Sequence, residues 1–222
     1  MEISIEKKVT DDNDTIAQET NNYLKEKGIK CVNIMGAPGS GKTTFIEGIA
    51  KFIPANNIAV IQGDLESDID KVRLEKSNIS TYQINTHSGC HLSAKMVADA
   101  VQNMDLNNKK LLLIENVGNL VCPAGRKIGQ DMDMVISATT EGSDKPKKYP
   151  VIFLDAKLVV ISKTDLAEAV NFSEEQYLND IKAINANTKI VKTTIKEENS
   201  FKEAAEFLMT IKWKYTALEM NT

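Results

Sequence analysis

The chain has 222 residues, 42% of them hydrophobic, and a formal net charge of −4. This length is enough for one domain with a sheet covered on both faces. Lysine and arginine are scattered, so no basic stripe indicates a nucleic-acid partner. The sequence shows neither the apolar core of a signal peptide nor a run of roughly 18 apolar residues that would span a membrane. We therefore expect a cytoplasmic protein without a membrane or nucleic-acid partner.

The N-terminal segment, residues 1–28, is polar and has few apolar anchors. A surface helix is predicted over residues 11–27, and Gly28 is expected to end it because glycine commonly follows a helix C-terminus. We predict that this segment is peripheral and that residues 29–222 form a single functional domain.

After residue 28, short apolar runs alternate with longer amphipathic stretches. This alternation predicts βα units around a mostly parallel sheet with helices on both faces, a doubly wound α/β fold that binds ligands at the carboxyl ends of its strands. Strands are predicted over 30–35, 58–62, 79–84, 111–114, 134–138, 158–162 and 189–193. Helices are predicted over 44–52, 68–76, 92–104, 174–184 and 201–212.

A phosphate-binding loop follows the first predicted strand. Residues 36–43 read GAPGSGKT and match the P-loop pattern G-x-x-x-x-G-K-[ST], which predicts a P-loop NTPase. Glycines let successive N–H groups point inward at phosphate oxygens, and the next helix turns its positive end toward the anion. Lys42 is expected to reach the β- and γ-phosphates, and the Thr43 hydroxyl to ligate Mg²⁺. The other nucleotide-binding candidates of this segment are Gly36, Gly39, Ser40, Gly41 and Thr44.

A carboxylate from the end of another strand is expected to complete the Mg²⁺ site. Glu115 directly follows the run 111–114, and the N–H of Gly118 is expected to bond the γ-phosphate and to move when that phosphate leaves. Asn119 rather than glutamine follows this glycine, so slow unaided hydrolysis is predicted.

A second acidic candidate for the metal is Asp64, at the end of the strand 58–62. With Lys42 and Glu115 it forms the predicted catalytic set. Asp68 and Asp70 follow it along the chain. The alternative is that these aspartates are loop acids and a helix N-cap.

A base-recognition motif follows the strand 158–162. Residues 162–165 read SKTD and approximate the guanine motif N-K-x-D. The carboxylate of Asp165 can accept hydrogen bonds from the guanine ring N–H and exocyclic amine, whereas adenine offers an acceptor there. Lys163 is expected to lie along the base, and GTP is preferred over ATP. Because Ser162 replaces the usual Asn, one side chain that supports the base site is shorter, and weaker guanine affinity is expected.

The three cysteines divide into one core residue and two candidate metal ligands. Cys31 lies inside the first predicted strand, where a small buried hydrophobe is expected. Cys90 and His91 are adjacent, and Cys122 stands four residues after Gly118. Two thiols and an imidazole suit Ni²⁺ or Zn²⁺. Their spacing leaves the alternative open that the thiols are structural and the histidine caps a helix.

Six segments together carry a resemblance to a known family. They read GAPGSGKTT, GDLESDID, GCHLSAKMV, ENVGNLVCPAG, TTEGSDKPKKYP and SKTDL. From about residue 30 to the end, the sequence resembles the hydrogenase nickel-incorporation GTPases, the HypB family of SIMIBI-class P-loop proteins. The resemblance implies that residues 29–222 form a P-loop GTPase domain.

The resemblance also implies a metal site and partners. Cys90, His91 and Cys122 match residues that bind nickel or zinc at a GTP-promoted dimer interface in that family. The expected function is a GTP-hydrolysing nickel metallochaperone that cycles between GTP and GDP, forms a homodimer, and acts with hydrogenase maturation proteins on a hydrogenase large-subunit precursor. The urease nickel chaperone is similar but carries Cys-Pro-His, so the direct Cys-His pair favours the hydrogenase branch.

Three features depart from the family pattern, and the first is Ser162 in the base-recognition motif. Residues 1–30 contain neither His nor Cys, so the nickel-binding N-terminal extension of many members is not expected. Ser93 stands where the family usually has Asp, which removes an acceptor for the metal ligands. His87 matches no family ligand, although it lies near enough to Cys90 to contribute.

A small-molecule P-loop kinase is the alternative from another class. Asp64 would act as its general base, the cysteines would be structural, and the lysines of the loop 142–150 would form a lid. The Lys-x-Asp motif at 163–165 has no role in such an enzyme. A purely structural zinc-binding dimer is a third reading, and it leaves Lys42 and Thr43 without a role.

Overall fold

Seven parallel strands form one sheet in a computed structural model, which describes residues 2–64, 69–86 and 89–210. The strands are β1 (Lys30–Met35), β2 (Ile58–Asp64), β3 (Ser80–Asn85), β4 (Leu111–Glu115), β5 (Met132–Ala138), β6 (Ala156–Ser162) and β7 (Lys189–Lys192). Their order is β3-β2-β4-β1-β5-β6-β7, so the chain winds outward from β1 in both directions. The doubly wound α/β prediction is confirmed.

The helices cover both faces of this sheet. They are α1 (Glu2–Glu26), α2 (Lys42–Ile49), α3 (Ile69–Lys76), α4 (Ala94–Asn103), α5 (Lys145–Lys148), α6 (Pro150–Leu154), α7 (Glu174–Ile184) and α8 (Lys202–Met209). Each predicted helix is present: α7 has the predicted ends, whereas α2, α4 and α8 begin at other residues than predicted. Residues 68, 211 and 212 of the predictions lie outside the described ranges. Within these ranges, no helix is long and apolar enough to cross a bilayer.

Helices α5 and α6 are additions to the sequence prediction. Two prolines and three lysines in residues 145–150 are typical of a loop, but Pro146 and Pro150 each lie in the first turn of a helix. Proline is tolerated there because the N–H it lacks has no partner within the helix.

Successive side chains along each strand point to opposite faces of the sheet, and each face carries a hydrophobic core. Val32 and Ile34 of β1 pack with α2, α3 and α8 on one face. Cys31 faces the other side, where it packs with α1 and α4. Cys31 is fully buried, so the prediction of a core cysteine is confirmed, and burial raises the pKa of its thiol well above its usual range. Helices α6 and α7 cover the rest of that face.

Helix α1 begins nearer the N-terminus than residue 11 and packs along α4. It ends at Glu26, and the glycine predicted to end it, Gly28, has a φ of 71° in the left-handed region. Leu24 is fully buried, and the Asn21 side chain donates to the Gly129 carbonyl and to Asp131 Oδ1, both at 3.0 Å. The division at residue 28 into a peripheral segment and a domain stays a prediction.

The packing of α2 generates a stability test. A Cβ on Gly48 would lie 2.4 Å from Cδ1 of the buried Phe201 ring. Gly48→Ala gains about 1 kcal/mol of helix propensity, whereas overpacking a core costs about 1–3 kcal/mol. We expect a net loss of about 1 kcal/mol in the free energy of unfolding, measured with urea. In a Phe201→Leu background the loss should shrink or reverse, and an equal loss in both backgrounds would contradict this packing.

Candidate functional site

The loop between β1 and α2 requires glycine at three positions. Gly39 and Gly41 have φ values of 72° and 94°, which L side chains rarely adopt. A Cβ on Gly36 would lie 2.4 Å from the Ile136 carbonyl oxygen. The loop therefore has the backbone path that the P-loop motif predicts, at the carboxyl end of β1.

Lys42 folds back over this loop. Its Nζ donates to the carbonyl oxygens of Ala37 at 3.1 Å and Gly36 at 3.4 Å, and only 8% of the residue is exposed. A buried ammonium needs acceptors around it, and phosphate oxygens are stronger acceptors than carbonyls. The lysine thus lies where the motif predicts it.

The Thr43 hydroxyl and the Glu115 carboxylate meet at the ends of β1 and β4. Thr43 Oγ1 donates to Glu115 Oε1 at 2.8 Å, and Gln62 Nε2 donates to Glu115 Oε2 at 3.0 Å. Mg²⁺ prefers oxygen ligands in an octahedron of about 2.0–2.1 Å radius, whose adjacent corners are roughly 2.9 Å apart. This oxygen pair therefore fits Mg²⁺.

Asp64 ends β2, next to β4 in the sheet. Its side chain lies outside the described part of the structure, as do Asp68 and the side chain of Asp70. Their predicted roles stay predictions.

A cavity of about 270 Å³ lies beside the P-loop. Asp165 Oδ1 accepts from Thr194 Oγ1 at 2.7 Å, and its Oδ2 lies 3.4 Å from Lys196 Nζ. The Thr194 hydrogen bond, with a smaller contribution from Lys196, lowers the pKa of Asp165. The apolar side chains that line the cavity are Phe45, Leu166, Ile195 and Phe201.

The residues around this cavity also hold the P-loop. Ser162 Oγ donates to the Ser40 carbonyl at 2.6 Å, and Lys163 Nζ donates to the Gly39 carbonyl at 2.7 Å. The serine therefore bridges β6 to the P-loop although its side chain is shorter than that of Asn. The weaker guanine affinity expected for Ser162 stays a prediction.

Cys90, His91 and Cys122 form a half-buried cluster, the Cys-His-Cys cluster. Their ligand atoms all lie within 4.8 Å of one another, and Cys90 Sγ lies 3.5 Å from His91 Nδ1. Sulfur and nitrogen ligands of one tetrahedral Zn²⁺, at about 2.3 and 2.0 Å from it, are themselves separated by roughly 3.5–4 Å. The cluster is close to the geometry that a single ion requires.

The surroundings of His91 favour a neutral imidazole. Burial, and then the charge of Arg126, lower the pKa of His91, so its ring nitrogen keeps a lone pair for a metal. The hydrogen bond with Cys90 is the largest cause that raises the pKa of Cys122. A metal ion would have to displace protons from these thiols.

The loop from Glu115 to Cys122 touches both sites. A Cβ on Gly118 would lie 2.9 Å from Pro38 Cγ, and Asn119 forms a β-bridge with Gly36. The Asn119 side chain then accepts from the Cys122 backbone N–H at 3.0 Å. One short loop thus runs from the P-loop to a thiol of the Cys-His-Cys cluster.

Comparisons with known proteins show the family of the chain. Residues 30–192 match the family model of the CobW/HypB/UreG nucleotide-binding domain. The chain is 38% identical over 210 residues to the hydrogenase/urease maturation factor HypB of Helicobacter hepaticus, covering 93% of this chain and 86% of that protein. The chain belongs to the HypB family. This confirms the resemblance on which the sequence analysis relied.

Two solved HypB structures share the fold over about nine-tenths of this chain. HypB from Helicobacter pylori in complex with nickel has a TM-score of 0.87 and 34% identity, over 92% of this chain and 99% of that one. HypB from Archaeoglobus fulgidus has a TM-score of 0.82 and 39% identity, over 89% and 97%.

Several contacts of the site were not predicted from the sequence. Gln62 holds Glu115 because β2 and β4 are neighbours, a pairing that no local pattern reveals. Thr194 holds Asp165, and its place just after β7 was the only available signal. Ser93 caps α4 by accepting from the Met96 N–H at 3.3 Å. His87 lies outside the described residues.

The Cys-His-Cys cluster generates a metal-binding test. Cys122→Ala leaves only two ligands, so we expect Zn²⁺ and Ni²⁺ affinity to fall at least tenfold, since even outer partners of metal ligands are worth about 10–100-fold. Competition with a chromophoric chelator measures it. Cys31→Ala is the matched control, because it removes a thiol of the core and should leave the metal affinity unchanged. Equal affinities of the Cys122→Ala and wild-type proteins would contradict the site.

Proposed function

We propose that this protein is a GTP-hydrolysing nickel metallochaperone that assists nickel insertion into a hydrogenase precursor. The observation that supports it is the loop from Glu115 to Cys122, which contacts the P-loop at one end and carries a thiol of the Cys-His-Cys cluster at the other. A shared loop lets the nucleotide state change the metal affinity.

The nucleotide half performs slow hydrolysis. Lys42 neutralises the β- and γ-phosphates, and the Gly118 N–H bonds the γ-phosphate. Thr43 and Glu115, with Asp64, hold Mg²⁺, which when bound neutralises charge on the phosphate oxygens. Asn119 in place of a glutamine leaves the attacking water poorly oriented, so hydrolysis is slow. Slow hydrolysis sets how long the protein stays in the GTP-bound state and is not a rapid source of energy.

The metal half holds nickel as cargo. Two thiols and an imidazole match nickel and zinc alike. Three ligands leave a coordination position open, which suits an ion that is passed on. The H. hepaticus relative is described as a hydrogenase/urease maturation factor, which supports both hydrogenase precursors with their maturation proteins and, as a second candidate, urease as recipients.

A second copy of the chain is the proposed partner at the metal. Val121, beside Cys122, is 65% exposed, and the cluster itself is only half buried. A two-fold axis there would bring both clusters together and complete the coordination. Thiolates repel one another without a metal, so nickel and GTP should each favour the dimer.

Guanine recognition is tested by Asp165→Asn. The carboxylate accepts from two guanine donors, whereas an amide donates to the 2-oxo group of xanthine. We expect GTP turnover to fall at least tenfold and xanthosine triphosphate turnover to rise, since leaving a donor unpaired costs about 1–3 kcal/mol. Lys42→Ala is the control and should lower turnover of both nucleotides. An Asp165→Asn protein that still prefers GTP would contradict the base site.

The dimer is tested by sedimentation with neither ligand, with nickel, with a GTP analogue, and with both. Binding that favours the dimer shifts its equilibrium by mass action. We expect the largest dimer fraction with both ligands and the smallest with neither. Equal fractions in all four conditions would exclude the nucleotide-switched, metal-bridged dimer.

A further inference from the structure

The Asn116 side chain lies between the nucleotide half and the Cys90–His91 half of the metal cluster. It directly follows Glu115 and is 2% exposed. Its Oδ1 accepts from the backbone N–H of Leu92, one residue after His91, at 3.1 Å. The same oxygen accepts from the Val117 N–H at 3.0 Å. One amide oxygen therefore joins the segment of Cys90 to the loop that leads to Cys122.

The amide nitrogen of Asn116 extends these contacts to the P-loop strand. Its Nδ2 donates to Asn33 Oδ1 at 3.0 Å, and its backbone N–H donates to the Ile34 carbonyl at 3.0 Å. Asn33 in turn donates to Asp133 Oδ1 at 2.8 Å. A buried hydrogen-bonded side chain of this kind permits few alternative positions, because each broken bond leaves a buried polar group unpaired.

Leu92 is also confined on its other side. It is fully buried, and a Cβ on Gly63 would lie 2.9 Å from Leu92 Cγ. The glycine therefore leaves just enough room for the leucine against the end of β2. A displacement at the ends of β2 or β4 must reach Leu92 through van der Waals contact or through the Asn116 hydrogen bond.

We infer that Asn116 is a positioning residue that transmits the nucleotide state from Glu115 to the Cys90–His91 pair. The inference rests on the proposed function and adds a second connection to that function. The loop ending at Cys122 moves one ligand, and Asn116 moves the other two through Leu92. The nucleotide thereby controls the distance between the two halves of the cluster rather than the position of one thiol.

The test is nickel affinity of the full chain loaded with GDP or with a non-hydrolysable GTP analogue, in wild-type and Asn116→Ala proteins. Nickel can also bind the nucleotide phosphates, and the Cys122→Ala protein, which lacks one ligand of the cluster, measures this background. We expect the two wild-type affinities to differ by about 5- to 150-fold, the usual range of coupling. In Asn116→Ala the ratio should fall at least about threefold toward one, with GTP affinity retained, because only the connection through the loop to Cys122 remains.

Asn21→Ala is the matched control, because Asn21 is also buried and its side chain donates to the Gly129 carbonyl and Asp131 Oδ1, away from both sites. It should lower thermal stability and keep the wild-type ratio of affinities.

A wild-type ratio in Asn116→Ala would overturn the inference alone. Equal affinities in the wild type would overturn the nucleotide switch of the proposed function together with the inference.

A second measurement needs no variant. Hydrogen exchange of the Leu92 amide, followed by NMR in the wild type, reports the Asn116 hydrogen bond directly. We expect the exchange rate of this amide to change between GDP and the GTP analogue. Identical rates in the two states would overturn the inference even where Asn116→Ala fails to fold.

Discussion

The contact between the loop after β4 and the P-loop is the constraint on which the rest of the structure depends. Gly118 packs against Pro38 so closely that a Cβ would lie 2.9 Å from the proline ring, and Asn119 pairs with Gly36. Surfaces packed this tightly have no room for gradual adjustment, so a change in either loop shifts the other. The Thr43–Glu115 hydrogen bond fixes the start of the same loop.

The sheet topology brings the two chemistries together. The strands β2, β4 and β1 are neighbours, so the segments that leave their carboxyl ends lie side by side. The P-loop follows β1, Glu115 ends β4, and Gly63 lies near the end of β2 against Leu92. The Cys-His-Cys cluster is thus built by loops at the same edge as the nucleotide site. Coupling between the Cys-His-Cys cluster and the nucleotide site therefore requires contacts across only a few residues rather than a long chain of residues.

The sequence predicted the parts of the molecule that rest on local patterns. The P-loop spacing, the apolar strand runs and the glycine that ends α1 are each set by neighbouring residues, and the structure contains them. The proline-rich segment 145–150 misled the prediction because proline favours both loops and first helical turns. For the cysteines, the separation of many residues between His91 and Cys122 carries no metal signature, so the residue types only allowed a metal site and the family resemblance favoured it.

The contacts that hold the site could not be predicted from the sequence, for a physical reason. Gln62 meets Glu115, and Asn116 meets Asn33, because β4 inserts between β2 and β1. Strand order is a property of the whole fold, so no window of sequence contains these pairs. The Ser162 bridge to the P-loop is of the same kind.

The most direct measurement of the central claim is the affinity of the full chain for a GTP analogue with and without nickel. Linkage requires nickel to change the triphosphate affinity by the same factor by which the triphosphate changes nickel affinity. The account predicts such a change, and predicts its loss in Cys122→Ala. Nickel that binds at the Cys-His-Cys cluster and leaves the affinity for the analogue unchanged would contradict it.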